Sequence, residues 1–136
     1  MTEDEVRDFI RANHRAVLAT LRGDQQPQMS PVVVVVDEDG TLMVSSRETA
    51  MKTRNLRRSP RAWLCVMTNG FFGGWVQAEG RIEVESLPDA MEALVRYYRI
   101  GFGEHGDWEE YREAMVREKR VVLRMHIDRV GPTVSG

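Results

Sequence analysis

The pattern of apolar and polar positions along the chain predicts six β-strands and four helices. A strand is predicted at residues 74–84 (GWVQAEGRIEV), where from Val76 onward every second residue is small or apolar and the residues between are polar or charged. The other strands are predicted at residues 14–22, 26–36, 41–45, 62–68 and 120–130. Helical periodicity predicts helices at residues 3–13, 88–100 and 107–118, and a fourth in the segment before Pro60.

The arrangement of these elements favours a closed β-structure over a nucleotide-binding α/β fold. Five consecutive valines at residues 32–36 cannot alternate with polar residues, so this strand is expected to be covered on both faces or closed into a barrel. Residues 37–40 (DEDG) predict a hairpin turn in which Gly40 takes a positive φ. Because βαβ alternation and glycine-rich phosphate loops are lacking, we predict a mainly β (α+β) fold, a six-stranded antiparallel barrel with peripheral helices.

Composition narrows the class further. The 136 residues, 42% hydrophobic and 29% charged, fit one globular domain spanning residues 1–136. No apolar run approaches the roughly 20 residues of a membrane span, and the N-terminus (MTEDEVRDFI) lacks a signal-peptide pattern, so a cytoplasmic location is expected. The single cysteine, Cys65, excludes an internal disulfide and is expected in the core with Trp63, and no spacing of Cys or His supports a metal site.

Positive charge is concentrated at residues 47–61 (RETAMKTRNLRRSPR). This segment holds six of the nineteen Lys and Arg residues and one acid, Glu48, although the net charge of the chain is -2. Such segregation raises positive potential at one place on an acidic surface, which attracts a small anion. The acidic balance of the whole chain disfavours nucleic acid as the partner.

The basic segment is predicted to form a helix that follows the third strand. Ser45 and Glu48 match a capping box at its start, and Pro60 ends it near residues 58–59. Its first turn would offer backbone N–H groups and the positive end of the helix dipole, with Lys52 one turn along. Two interpretations remain open from these residues: a phosphate site, or a solvated helix whose lysine reaches water.

The run VSSRETAMKTRNLRRSPRAWL resembles the phosphate-anchoring segment of the split β-barrel flavoproteins of the pyridoxamine 5′-phosphate oxidase-like superfamily. It is most similar to the actinobacterial branch that uses the deazaflavin coenzyme F420. The stretches AVLATLRGDQQPQMSPV, WVQAEGRIEV and YYRIGFGEHGDWEEYREAMVREKRVVLRM agree in the same order. The resemblance implies an FMN-binding-type split barrel and a homodimer with two cofactors at the subunit interface.

The resemblance also assigns residues to the cofactor. The residues that would hold its phosphate are Ser45, Lys52 and Asn55. Those that would lie along its tricyclic ring are Pro27, Gln28, Met29 and Ser30, with Gly73, Gly74 and Trp75 from a glycine-rich turn of the second subunit. A polyglutamate tail, which coenzyme F420 carries and FMN lacks, would meet Arg54, Arg57 and Arg58. Met51 also borders the site, where relatives often have another arginine, so one expected charge is missing.

The function implied by the resemblance is that of an oxidoreductase. Reduced coenzyme F420 would transfer a hydride to a small conjugated substrate of the enone, quinone or tetrapyrrole class. The cofactor supplies the redox chemistry, so no catalytic residue is assigned. The alternatives are an FMN-binding flavin reductase similar to pyridoxamine-phosphate oxidases and a cofactor carrier without turnover. His14, His105 and His126 share no metal-ligand spacing and are expected to be structural.

Overall fold

The computed structural model describes residues 1–70 and 73–132. Its helices are α1 (Glu3–Ala12), α2 (Met51–Arg58), α3 (Met91–Phe102) and α4 (Trp108–Arg117). Its strands are β1 (Arg15–Leu21), β2 (Pro27–Val33), β3 (Val35–Val36), β4 (Leu42–Arg47), β5 (Arg61–Met67), β6 (Trp75–Ser86) and β7 (Arg120–Gly131). Within the described ranges, none of the helices has the length and apolar character needed to cross a membrane.

The strands form one curled antiparallel sheet in the order β2-β1-β5-β6-β7-β4-β3. The two edge strands are consecutive in the chain, so the sheet curls into a barrel that is split between β2 and the β3–β4 pair. The predicted fold class is confirmed, with seven strands where six were expected. The extra strand arises because the valine run bends: the Val34 N–H donates to the carbonyl of His14, and Val34 belongs to neither β2 nor β3.

The valine run is covered on both faces, as predicted. Val34 packs into the interior of the barrel, while Val35 faces the opposite way and packs beneath α3 and α4, and both are fully buried. The hairpin at residues 37–40 is also confirmed, since the Gly40 N–H donates to the Asp37 carbonyl and Gly40 has φ 85°. Two apolar cores therefore lie on the two sides of β3 and β4.

The helices divide between these two cores. Helix α1 packs Val6 and Ile10 into the barrel, and Leu56 of α2 does so from another side. Helices α3 and α4 cover the outer face of the sheet at β3, β4 and β7, where Leu94 and Met115 join the second core. The outer face of β2, β1, β5 and β6 lies beyond them.

A buried ion-pair network connects the 37–40 hairpin to β7 and α3. Arg96 donates to the Asp37 carboxylate at 2.9 and 3.0 Å, and Arg124 donates to it at 2.8 Å. Arg124 also donates to Glu85 at 2.9 Å and to Thr41 Oγ1 at 2.7 Å. Burial raises the pKa of Asp37, but the bonds from Arg96 and Arg124 outweigh it and hold that pKa well below its usual range.

Candidate functional site

Helix α2 begins without a capping side chain, which contradicts the predicted capping box. Ala50 occupies the N-cap position, and no side chain of the described residues bonds to the start of the helix. Ser45 and Ser46 belong to β4, paired with Val122 and Val121 of β7, so they precede the helix by too many residues to cap it. The first turn also contains no acidic residue, so the positive end of the helix dipole has no negative neighbour on its own helix.

Three cations lie close to this helix start. The β4–β7 pairing places Arg47 opposite Arg120. Glu118 is their common carboxylate partner, 2.8 Å from Arg120 and 3.4 Å from Arg47. Lys52, half-buried on α2, has no ion pair or side-chain hydrogen bond within the described residues. Its pKa is lowered by burial and by the positive charge of Arg120. Because Arg47 and Arg120 share one carboxylate and Lys52 has none within the described residues, this place favours an anion.

A cavity of about 370 Å³ opens beside Arg120, and the carboxylates of Glu110 and Glu118 also line it. Ser45 and Arg120 form one wall, and aromatic side chains of α3, α4 and the loop between them form the other. The aromatic lining residues are Tyr97, Tyr98, Phe102, His105 and Tyr111. Such a wall can exclude water from a bound ring system while the cations hold an acidic group at its edge.

Tyr97 remains a neutral hydrogen-bond donor in this cavity. Burial raises the pKa of its hydroxyl to about 12, against the smaller opposing effects of the Ser45 backbone and Arg120. The hydroxyl donates to the Val33 carbonyl at 2.7 Å, which attaches α3 to the end of β2. The neighbouring Tyr98 also lines the cavity, with Tyr97 buried and Tyr98 half-buried.

Asn55, three residues after Lys52 on α2, takes part in a buried hydrogen-bond network beneath β1 and β2. It is 1% exposed, and its Nδ2 donates to Thr20 Oγ1 at 3.0 Å and to Gln28 Oε1 at 2.7 Å. Its Oδ1 accepts a hydrogen bond from Arg58 at 3.0 Å. These bonds use both N–H groups of Asn55 and occupy its oxygen, so a phosphate would have to displace one of them, and the assignment of Asn55 to the phosphate stays a prediction.

The three arginines assigned to a cofactor tail differ in their availability. Arg57 is paired with Glu48 at 2.7 Å and donates to Ser86 at 3.0 Å. Arg58 donates to Asn55 and to the Leu21 carbonyl. Arg54 is exposed and has no side-chain partner in the part of the chain that the structure describes. Arg54 is therefore the most available of the three, while Arg57 and Arg58 keep only the donors that these bonds leave unused.

The residues assigned to the ring fall at two distant places in one chain. Pro27 pairs with Leu21 at one end of β1, whereas Trp75 pairs with Met67, which pairs with Arg15 at the other end. The six residue-to-residue steps from Arg15 to Leu21 span about 20 Å of extended strand. Trp75 and Gly73, two residues before it, therefore cannot share one ring with Pro27 in the same chain.

The other residues assigned to the ring lie near Pro27 or in the glycine-rich turn. Gln28 and Ser30 are half-buried, whereas Met29 of β2 and Met51 of α2 are exposed. In the turn, a side chain at Gly73 would lie 1.8 Å from Thr68 Oγ1, which explains the glycine there. Phe71 and Phe72 of the same turn lie outside the described residues.

The outer sheet face, formed by outward residues of β2, β1, β5 and β6, is largely apolar. The expectation that Trp63 and Cys65 lie in the core is wrong, because β5 directs Ala62, Leu64 and Val66 inward and these two outward. The apolar residues of this face are Val17, Ala19, Met29, Pro31, Trp63, Cys65, Met67 and Trp75. Met29 is 67% exposed and Trp75 is 41% exposed. An apolar sheet face of this kind is typical of an interface.

Comparison with known proteins relates both the sequence and the fold to one family. Residues 2–133 match the family described as pyridoxamine 5′-phosphate oxidase. An F420H(2)-dependent biliverdin reductase of Mycobacterium tuberculosis is 28% identical over 128 residues, covering 93% of this chain and 85% of that protein. A conserved hypothetical protein of Mycobacterium tuberculosis has a TM-score of 0.79 at 24% identity, covering 100% of this chain and 93% of that one.

A solved F420 reductase shares the same fold. Its TM-score is 0.72 at 16% identity, with 92% of this chain and 94% of that chain covered. The resemblance predicted from the sequence is therefore confirmed, and so is the split-barrel class.

Proposed function

Because this chain belongs to the pyridoxamine 5′-phosphate oxidase family, we propose that it is an oxidoreductase that uses reduced coenzyme F420 to deliver a hydride to a small conjugated substrate. The observation that carries this proposal is the group of Arg47, Lys52 and Arg120, in which two arginines share the Glu118 carboxylate and Lys52 lies near Arg120, beside an aromatic cavity and an uncapped helix. A relative with 28% identity, an F420H(2)-dependent biliverdin reductase, supports the choice of cofactor and of enzyme class.

The residues present fit the phosphate of such a cofactor. Lys52 and Arg120 supply charge, Ser45 supplies a hydroxyl next to Arg120, and the first turn of α2 supplies backbone N–H groups. Burial, and then the charge of Arg120, lower the pKa of Lys52, and an anion here would offset the repulsion between these two cations. On binding, Lys52 and Arg120 would thus gain the phosphate as an anionic partner between them.

The residues of the protein would bind and orient the coenzyme and the substrate and shield them from water. The bound coenzyme supplies the hydride, and the side chains around the cavity exclude water and hold the substrate against the ring. Tyr97 keeps its proton because the pKa of its hydroxyl is raised to about 12 by burial. It is therefore a positioning group, bonded to Val33, and we assign no side chain to proton transfer.

One observation favours FMN as a second candidate cofactor. Arg57 and Arg58 are bonded within the chain, which leaves Arg54 as the arginine of α2 most available to an acidic tail. Lys52 and Arg120 alone suffice for the single phosphate of FMN. With FMN the protein would be a flavin reductase on the same fold.

Turnover distinguishes an enzyme from a carrier. We expect the purified protein to accelerate the loss of reduced coenzyme F420 when an enone, a quinone or a tetrapyrrole is added. The measurement is absorbance of the reoxidised coenzyme, with the same mixtures lacking protein as the control. Tight binding of the coenzyme without turnover of any of the three classes would favour the carrier and overturn the proposed enzyme.

The second copy of this chain is the proposed partner for the outer sheet face. In one chain Pro27 and Trp75 are separated by the length of β1, so a ring that touches both needs two chains. The apolar residues of this face would be buried in such a homodimer, and Trp75 of one subunit could reach the ring held by the other. Family membership supports the same arrangement.

A charge placed in the outer sheet face is expected to break this dimer. Val17 is half-buried at its centre, between Pro31 and Cys65 on the neighbouring strands. The change Val17→Glu would bury an unpaired carboxylate from each subunit and weaken dimerisation by about ten-fold or more. Light scattering should give about twice the chain mass of 15.6 kDa for the wild type and a mass near 15.6 kDa for the variant.

The matched control is Val116→Glu, because Val116 is 60% exposed on α4, away from this face. That variant should remain dimeric. A wild-type protein that light scattering shows to be monomeric at every protein concentration measured would contradict the proposed dimer.

A further inference from the structure

The hydrogen bonds of Arg58 fix the orientation of the Asn55 side chain. Arg58 Nη2 donates to the Leu21 carbonyl at 3.2 Å and to Asn55 Oδ1 at 3.0 Å. A guanidinium group has only donors, so an acceptor must face it. Asn55 therefore directs its oxygen toward Arg58 and its Nδ2 toward the strands.

The orientation of Asn55 in turn fixes that of Gln28. Asn55 Nδ2 has two N–H groups and no acceptor, and it lies 2.7 Å from the Gln28 side chain and 3.0 Å from Thr20 Oγ1. Gln28 must therefore present its oxygen to Asn55 and direct its Nε2 the other way. The guanidinium and the two amides form one hydrogen-bond network, in which each group donates to the oxygen of the next.

The last group of this network, the Gln28 amide, keeps a donor for a ligand. Gln28 is half-buried on β2, and its Nε2 has no hydrogen-bond partner within the described residues. Within those residues, no buried side-chain nitrogen or oxygen lacks a partner, so this Nε2 reaches solvent. It lies on the strand that borders the split of the barrel, next to Met29.

We propose that Gln28 contacts the cofactor ring only as a hydrogen-bond donor, and that Asn55 and Arg58 are positioning residues that hold it so. This inference rests on the proposed function. The pyrimidinedione edge of a flavin or deazaflavin ring carries carbonyl oxygens, which are acceptors suited to the Gln28 N–H group. Asn55 and Arg58 then act through Gln28 and touch neither the phosphate nor the tail.

The change Asn55→Asp tests this orientation without changing the size of the side chain. One carboxylate oxygen still accepts from Arg58, but the other now faces Gln28, so the Gln28 amide must rotate and present its oxygen to the ring. The Thr20 hydroxyl can rotate and donate to the carboxylate. Two acceptors would then face each other, and the affinity for coenzyme F420 should fall about ten-fold, as expected for a lost hydrogen bond with one group left unsatisfied.

A double-mutant cycle with Gln28→Met separates this effect from general damage. Without the amide of Gln28, Asn55→Asp should change the affinity little, because there is no donor to turn. The four proteins are titrated with coenzyme F420 and with FMN by fluorescence, and their melting temperatures are measured. An equal loss of affinity from Asn55→Asp in both backgrounds, or no loss in the wild-type background, would overturn the inference.

Two further outcomes are distinguishable from a failure of the inference alone. If the wild type binds neither coenzyme, the proposed function fails, and the inference fails with it. If Asn55→Asp does not fold, Arg58→Met takes its place in the cycle: without the guanidinium, both orientations of the amides become possible. The affinity should then fall about two-fold, as half of the population is lost, and only when Gln28 is present.

Discussion

Replacing Lys52 with methionine is expected to weaken the binding of coenzyme F420 by about ten-fold or more, as the loss of a charged hydrogen bond of roughly 1.5 to 3 kcal/mol implies. The unliganded protein should respond in the opposite direction. Burial and the charge of Arg120 lower the pKa of Lys52, so an uncharged side chain removes a repulsion from the free protein. Its melting temperature should stay the same or rise slightly while its affinity for the cofactor falls.

The control for this experiment is Arg11→Met. Arg11 is an exposed cation on α1, paired with Asp8 at 2.7 Å, so its loss changes the net charge of the protein equally. Fluorescence titration at low and high salt separates a contact with the ligand from long-range attraction, which salt screens. Unchanged affinity in Lys52→Met would remove Lys52 from the cofactor site.

Replacing Asp37 with alanine is expected to lower the free energy of unfolding by about 3 to 5 kcal/mol, the usual cost of breaking a buried ion pair. The Asp37 side chain is 3% exposed and Arg124 is 9% exposed, and without this carboxylate Arg124 and Arg96 would face each other. The matched control is Asp128→Ala, which removes an exposed ion pair with Arg61 and should cost less than about 1 kcal/mol. Urea unfolding at neutral pH measures both.

The same network predicts how the effect depends on pH. The pKa of Asp37 is lowered in the folded protein by Arg96 and Arg124, despite burial, so its stabilising contribution is complete above the unfolded pKa of about 3.9. That contribution is lost as the pH falls below about 4 toward the folded pKa. The difference in stability between wild type and Asp37→Ala should therefore narrow in acid. A difference that stays constant down to pH values well below 4 would contradict the assignment.

The elements that the sequence predicts well are those fixed by neighbouring residues. The hairpin at Gly40 and the end of α2 before Pro60 follow from local backbone preferences, and the alternation in β6 follows from the pleat of a strand. The division of the valine run into β2 and β3 depends on a bond from Val34 to His14, twenty residues earlier. Nothing in a run of five valines indicates where such a bond will form.

The candidate site shows a similar division. Lys52 is predictable from its helix, but Arg120 reaches it only through the pairing of β4 with β7. The basic residues at 117–120 (REKR), directly before a strand, were the one available signal for that contribution. Counting charges in the sequence also overestimates the number of cations available to a ligand, because it does not show which cations are already bonded within the chain.

Four of the six cations in residues 47–61 are bonded to distant acids or to other groups of the chain. Arg47, Arg57 and Arg61 are ion-paired, and Arg58 bonds to Asn55 and Leu21. The remaining two, Lys52 and Arg54, have no ion pair within the described residues. The basic segment is thus partly a structural feature of the barrel and partly a binding site, and its sequence alone does not separate the two roles.

The central claim is that the cations around Lys52 bind the phosphate of a deazaflavin coenzyme. The most direct test is a fluorescence titration of the purified wild-type protein with coenzyme F420 and, separately, with FMN. We predict saturable binding of both, with coenzyme F420 bound more tightly than FMN. Micromolar binding of FMN with no detectable binding of coenzyme F420 would contradict the account.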